Sequence, residues 1–164
     1  MIATSMDNQK ANKAPLKSAK EKLASPALSE YASAAQEIIS TRENLGELEN
    51  PDLSGRVRGC CGDSIQIDMY LDGDVIQDAC FQTDGCSATI ACGGMMTRMI
   101  KGKTVTQAFK LEPDALRKAL GGLPNGHQHC ANLAINTLRA VILSGTSEDA
   151  LEVVIRPNSQ EKNP

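Results

Sequence analysis

The chain has 164 residues, a formal net charge of −3, and only two Tyr, two Phe and no Trp as its aromatic side chains. That length suits one domain of roughly 100–150 residues with flanking segments. The acidic balance and the lack of stacking side chains argue against a nucleic-acid binder, and no run approaches the roughly 20 apolar residues of a membrane span.

Residues 1–28 stand apart in composition. Lys10, Lys13, Lys17, Lys20 and Lys22 lie among Ala, Ser, Asn and Pro, with few large apolar side chains, which reads as a basic arm. No apolar run follows its charges, so no secretory signal is expected. Six cysteines without one read as reduced thiols in a cytoplasmic protein rather than as disulfides. Residues 29–39 are expected to form a short helix and 42–53 a loop with Gly46 and Pro51. A first strand around Val57 and Arg58 should end near Cys60. Ile65, Ile67, Met69 and Leu71 then alternate with Gln66, Asp68 and Tyr70, the period-two pattern of a half-buried strand. Asp72-Gly73 signals a tight turn. Residues 75–83 return as the partner strand, with Val75, Ala79 and Phe81 on one face.

Beyond Cys86 the pattern turns helical. Ser87 is expected to cap a helix that stops at Gly102, with Ala91, Met95 and Met99 as a packing stripe. Thr104 and Gln107 form a capping box, and Pro113 suits the first turn of a helix that closes at Gly121-Gly122. The last helix should start near 127–130, bury Leu133, Ala134, Thr137, Leu138 and Val141, and end at Gly145. Strands first and helices after predict an α+β domain: a small antiparallel sheet of about three strands with helices packed on one face. The domain is expected over residues 29–153, with 154–164 as a polar tail.

Cys61, Cys86 and Cys130 each fall at a junction between elements. Cys61 precedes Gly62-Asp63, Cys86 follows Asp84-Gly85 ahead of a helix, and Cys130 stands beside His129 in a first helical turn. Helix N-termini favour thiolate over thiol, and thiolate is both the metal ligand and the sulfur nucleophile. A free cysteine is otherwise a small buried hydrophobe, the reading preferred for Cys80. There is no C-x-x-C pair, so neither a zinc ribbon nor a ferredoxin run is implied. The residues alone point to a metal or sulfur site built from distant thiols.

Taken in order, the motifs resemble the iron–sulfur cluster assembly scaffolds of the IscU and NifU N-terminal type. Cys61-Gly62-Asp63 looks like their C-G-D motif. Gly85-Cys86 followed by Ser87-Ala88-Thr89-Ile90-Ala91 looks like the G-C that leads into a small-residue helix. Gly102-Lys103-Thr104 matches a third motif, Leu123-Pro124 through His129-Cys130 a fourth, and Arg42-Glu43-Asn44-Leu45-Gly46 resembles the P-R-N-x-G loop. The resemblance implies a non-enzymatic scaffold. Such a protein takes iron (Fe2+) and takes sulfur as persulfide from a cysteine desulfurase. It builds a labile [2Fe–2S] cluster and passes it to apo iron–sulfur proteins. It implies Cys61, Cys86 and Cys130 as cluster ligands and sulfur acceptors, with Asp63 or His129 at the fourth position. Zn2+ would fit the same thiolates.

The sequence departs from that pattern in places. His127 stands where the family has lysine, and Asn125 and Gly126 replace its second proline and the next residue. This segment is the one an Hsp70-type chaperone reads, so that partnership is put in question. His127 reads equally as an extra ligand or as a loop histidine. Cys92 lies six residues past Cys86, pointing away on a regular helix, and reads as core. Cys60 is a bystander, an auxiliary thiol or a persulfide relay. Whether a cluster lies within one chain or between two in a homodimer is left open by the sequence. Two further readings stand beside the scaffold: a thiol redox enzyme using the Cys60/Cys61 doublet or Cys86, and a zinc-stabilised structural module.

Overall fold

The computed structural model describes residues 25–145 and a two-residue strand at 153–154. Almost all of the basic arm, and the tail past 154, lie outside the described residues. The sheet is built from β1 (Leu53–Arg58), β2 (Ser64–Asp72), β3 (Val75–Thr83) and β4 (Val153–Val154), in the order β3-β2-β1-β4. β1 and β2 pair antiparallel, as do β2 and β3, and β4 runs parallel to β1 at Val57 and Arg58. This is the expected three-stranded antiparallel sheet. β4 is an addition that two residues past a helix could not announce.

The hairpin follows from its alternation, with two adjustments. Its two-residue loop is Gly73-Asp74, one residue later than expected, with Gly73 at φ 61°. A bulge lies between Tyr70 and Leu71, which pair with Asp78 and Ile76, so Gln77 has no opposite partner. An extra residue reverses facing beyond it. Ile76 therefore takes the core position expected for Val75 and is fully buried. The polar face of β2 is also covered. Asp68 is buried and accepts from Ser54 Oγ at 2.6 Å and the Leu48 N–H at 3.3 Å, while the Tyr70 hydroxyl donates to the Glu49 carbonyl. The loop before β1 thus lies across the outer face.

The helices are α1 (Ser33–Thr41), α2 (Ser87–Ile100), α3 (Val105–Phe109), α4 (Pro113–Ala119) and α5 (His129–Ser144). α1 starts later than expected because residues 28–30 form a 3-10 turn instead. It ends at Arg42 in the left-handed region, φ 53°. The 42–46 loop then lines the outer edge of β3: Phe81 N–H donates to the Asn44 carbonyl and Gly46 N–H to the Phe81 carbonyl. Glu43, a departure from the resembled loop, is paired with Arg98 of α2, which holds its carboxyl below the usual range. Both α2 and α5 pack on the inner face, α5 against β1 and β2 and α2 against β3. α2 is sandwiched between β3 and α1 and can be so only at its Gly93-Gly94 pair. A Cβ at Gly93 would lie 2.4 Å from the Phe81 ring, and one at Gly94 2.2 Å from Ile38. The core is aliphatic, with Phe81 its largest fully buried side chain. Among the described residues no helix is long and apolar enough to cross a membrane.

Candidate metal centre

The antiparallel hairpin ends where α2 begins, and α4 returns the chain so that α5 begins beside it. Cys86 occupies the capping position of α2, in extended conformation. Ser87, the expected cap, is the first helical residue. Its amide donates instead to Ser25 Oγ at 3.4 Å, and the two hydroxyls are 3.0 Å apart. Cys130 lies in the first turn of α5. Two long helices thus bring their positive ends, each with a thiol, to one corner.

His127 joins them. Ligand atoms of Cys86, His127 and Cys130 all lie within 4.8 Å of one another, with His127 Nδ1 3.7 Å from Cys86 Sγ. His127 and Cys130 are buried and Cys86 is half-buried. The loop that carries His127 is pinned from α4. Arg117 donates to the Gln128 carbonyl at 3.2 and 3.3 Å and to Asn132 Oδ1 at 2.6 Å, and Gln128 Nε2 donates to the Leu123 carbonyl. His129 lies one layer out: its Nε2 is 3.8 Å from Cys130 Sγ, and its ring stacks near His127 with centroids 6.4 Å apart. The histidine set inside the trio is therefore His127, weighed from sequence against a plain loop residue, while His129 touches one thiol only.

The two thiols are not equivalent. A hydrogen bond from Cys130 brings Cys86 down to about 4 despite burial, helped by the Thr89 and Ala88 N–H groups and the Thr89 hydroxyl. That bond and burial push Cys130 up. One proton shared by the pair, with the charge on the residue at the helix start, is what dipole and amides dictate.

The C-G-D loop approaches by a different route. Gly62 turns the backbone at φ 90°, Asp63 is buried, Cys61 is half-buried and Cys60 is exposed. Asp63 meets the corner through Thr89, whose Oγ1 is 3.4 Å from Asp63 Oδ2 and 3.5 Å from Cys130 Sγ. Cys61 falls outside the close trio, and burial pushes its thiol up. Cys92 is fully buried inside α2, and Cys80 is half-buried on β3. Two residues escaped the sequence reading. Thr89 sits inside a quoted motif but carries no ligand chemistry by type. Tyr31 is buried with an unpartnered hydroxyl, and burial and the charges of Cys86, Cys130 and Cys92 push it up. No local pattern signals either.

Two thiolates and an imidazole are soft to borderline donors, suited to zinc or iron–sulfur and ill-suited to magnesium or calcium. Three protein donors leave one tetrahedral position for an incoming ligand.

The comparisons agree with this architecture. Residues 30–147 match the family described as the NifU-like N terminal domain. The "Iron-sulfur cluster assembly scaffold protein IscU 1" of Archaeoglobus fulgidus is 40% identical over 114 residues, 69% of this chain and 74% of that protein. The IscU scaffold protein of Aquifex aeolicus is 35% identical over 116 residues, with the same coverage. The nitrogen fixation protein NifU of Azotobacter chroococcum is 31% identical over 123 residues, 73% of this chain but 40% of that protein. Among solved structures, a putative scaffold for the SUF system from Fervidobacterium islandicum superposes with a TM-score of 0.59 at 19% identity, covering 71% of this chain and 99% of that one. This is a likeness of fold. The chain belongs to the NifU-like N-terminal domain family.

Proposed function

We propose that this protein is a scaffold on which a labile [2Fe–2S] cluster is assembled and from which it is passed to apo iron–sulfur proteins. A cysteine desulfurase supplies the sulfur, and iron arrives as Fe2+. The protein turns over no substrate of its own, and it works in the cytoplasm. The observation that carries this reading is the meeting of two thiols from two helix starts with a buried imidazole, in a chain whose relatives are named as such scaffolds. Cys86 and Cys130 hold the cargo, with His127 as the third donor. Cys61 brings the further thiolate from its loop. Asp63 and His129 stand next to the thiols as exchangeable groups, and a carboxylate or imidazole releases iron more readily than a thiolate does. Zn2+ is a natural occupant of the compact trio, so zinc in a purified sample would not contradict the scaffold role.

Anaerobic reconstitution with ferrous iron and a sulfide source tests it. The expected result is a visible cluster spectrum that moves to an apo-ferredoxin on mixing. Inert stoichiometric zinc, and no cluster under any condition, would sink the proposal.

A further inference from the structure

Among the described residues three threonines on helices are fully buried: Thr89, Thr97 and Thr137. A buried hydroxyl needs a partner, and a helical threonine usually finds one in the carbonyl three or four residues back. Thr97 does so, to the Gly93 and Gly94 carbonyls at 2.9 Å, and Thr137 to the Leu133 carbonyl at 2.7 Å. Thr89 does not. Its hydroxyl faces Asp63 Oδ2 at 3.4 Å, Cys130 Sγ at 3.5 Å and Cys86 Sγ at 3.9 Å. Room for this is made by Gly85, where a Cβ would lie 2.7 Å from Thr89 Oγ1 and 2.8 Å from Asp63 Oδ2. One proton serves three acceptors, all at the long end of hydrogen-bond reach, two of them the thiols that hold the cargo.

We propose that Thr89 is a positioning residue for the metal site: it donates its one hydroxyl hydrogen bond to a metal-bound cysteine sulfur, Cys130 first, in place of Asp63 Oδ2 of the C-G-D loop, the competing acceptor. This rests on Cys86, His127 and Cys130 being the metal-holding set. A donor on a ligating sulfur withdraws charge from it, which fixes the ligand's orientation and tunes the metal. The Cys130–Cys86 pair alone would leave that outer contact unmade.

Cobalt(II) alone, added to the full-length protein, reads this through its thiolate-to-metal charge-transfer band, independently of any cluster. Thr89→Val keeps the shape and removes the donor; Thr89→Ser keeps the donor. The expected result is a band at lower energy in Thr89→Val and cobalt lost to a chelator about 10-fold faster, within the usual effect of outer contacts, with Thr89→Ser close to wild type in both. Unchanged band and loss rate in Thr89→Val would overturn the proposal. So would a Ser variant as impaired as the Val variant, because the methyl group's packing would then be what matters. Failure of the wild-type protein to take up cobalt at all would overturn the metal-holding reading first, and the role of Thr89 with it.

Discussion

The two cysteine-bearing regions of this protein are built in opposite ways. The Cys86–His127–Cys130 corner is made by the starts of α2 and α5, with two of its three donors buried and its loop pinned by Arg117. The C-G-D stretch is a loop between β1 and β2, with Cys60 exposed, Cys61 half-buried and only Asp63 buried. The first region gathers three candidate ligand atoms of soft to borderline character within 4.8 Å of one another. The second presents the Cys61 thiol outside that trio. On the proposed function, holding the metal and completing the cluster are separable tasks, and substitutions should separate them.

The largest effect is expected in the corner. Cys86→Ala or Cys130→Ala should cost more in zinc or cobalt affinity than the roughly 10–100-fold typical of outer contacts, and no cluster should form. His127→Ala should weaken binding of the ion more than His129→Ala does, since only His127 reaches both thiols. Cys61→Ser should leave zinc affinity nearly unchanged while preventing a stable cluster. Chelator competition for the metal, and visible absorption after reconstitution, measure the two properties apart. Equal loss of zinc in Cys61→Ser and Cys86→Ala would break the comparison, because the loop thiol would then belong to the same holding set.

A smaller effect follows from the shared proton. The ordinary thiol value is about 8.5. Cys86, depressed to about 4, lends the metal-free fold stability that is full above the ordinary value and gone once pH falls through about 4. Cys130, raised, has the opposite sign: its contribution is full below the ordinary value and is lost as pH rises past it. Burial likewise pushes Cys61, Cys80 and Cys92 up. The metal-free protein should thus carry one thiolate from Cys86 at neutral pH, persisting down to about pH 4. Ultraviolet thiolate absorbance against pH, compared with Cys86→Ala, checks this. A wild-type trace that matches the variant below pH 7 would contradict it.

How much of this was written in the sequence depends on the kind of interaction. The β2–β3 strands, the Thr104 capping box and the ends at Gly102, Gly121 and Gly145 rest on local periodicity and turn chemistry, and they were legible. The bulge at Tyr70–Leu71 was not, because an unpaired Gln77 is visible only against its partner strand. Cys86 and Cys130 were legible as junction residues. Their nearness was implied by resemblance, since a separation of 44 positions carries no geometric signal. His127 and His129 are equivalent by type, and the α4–α5 turn with its Arg117 tie decides which one faces Cys86. Thr89 owes its standing to long-range contacts with Asp63 and Cys130, and Tyr31 to burial, neither of which a local pattern shows.

Tyr31 gives the smallest expected effect and the finest comparison within the corner itself. Thr89 and Tyr31 are both buried hydroxyls near the thiols, but Thr89 has partners and Tyr31 Oη is the buried side-chain polar atom without one among the described residues. An unmade hydrogen bond of this sort costs about 1–3 kcal/mol against a bonded one, while swapping the group for an apolar surface of the same shape is near neutral or stabilising. Tyr31→Phe removes that oxygen and keeps the ring. The metal-free variant should therefore unfold in denaturant at an equal or higher midpoint than wild type, by about 1 kcal/mol at most. Thr89→Val, which gives up the hydroxyl's contacts with Asp63 and Cys130, should not share that gain. If Tyr31→Phe instead destabilises the metal-free protein, the phenol is already spent on a bond in the empty corner. The contrast between a committed and an uncommitted hydroxyl would then fall.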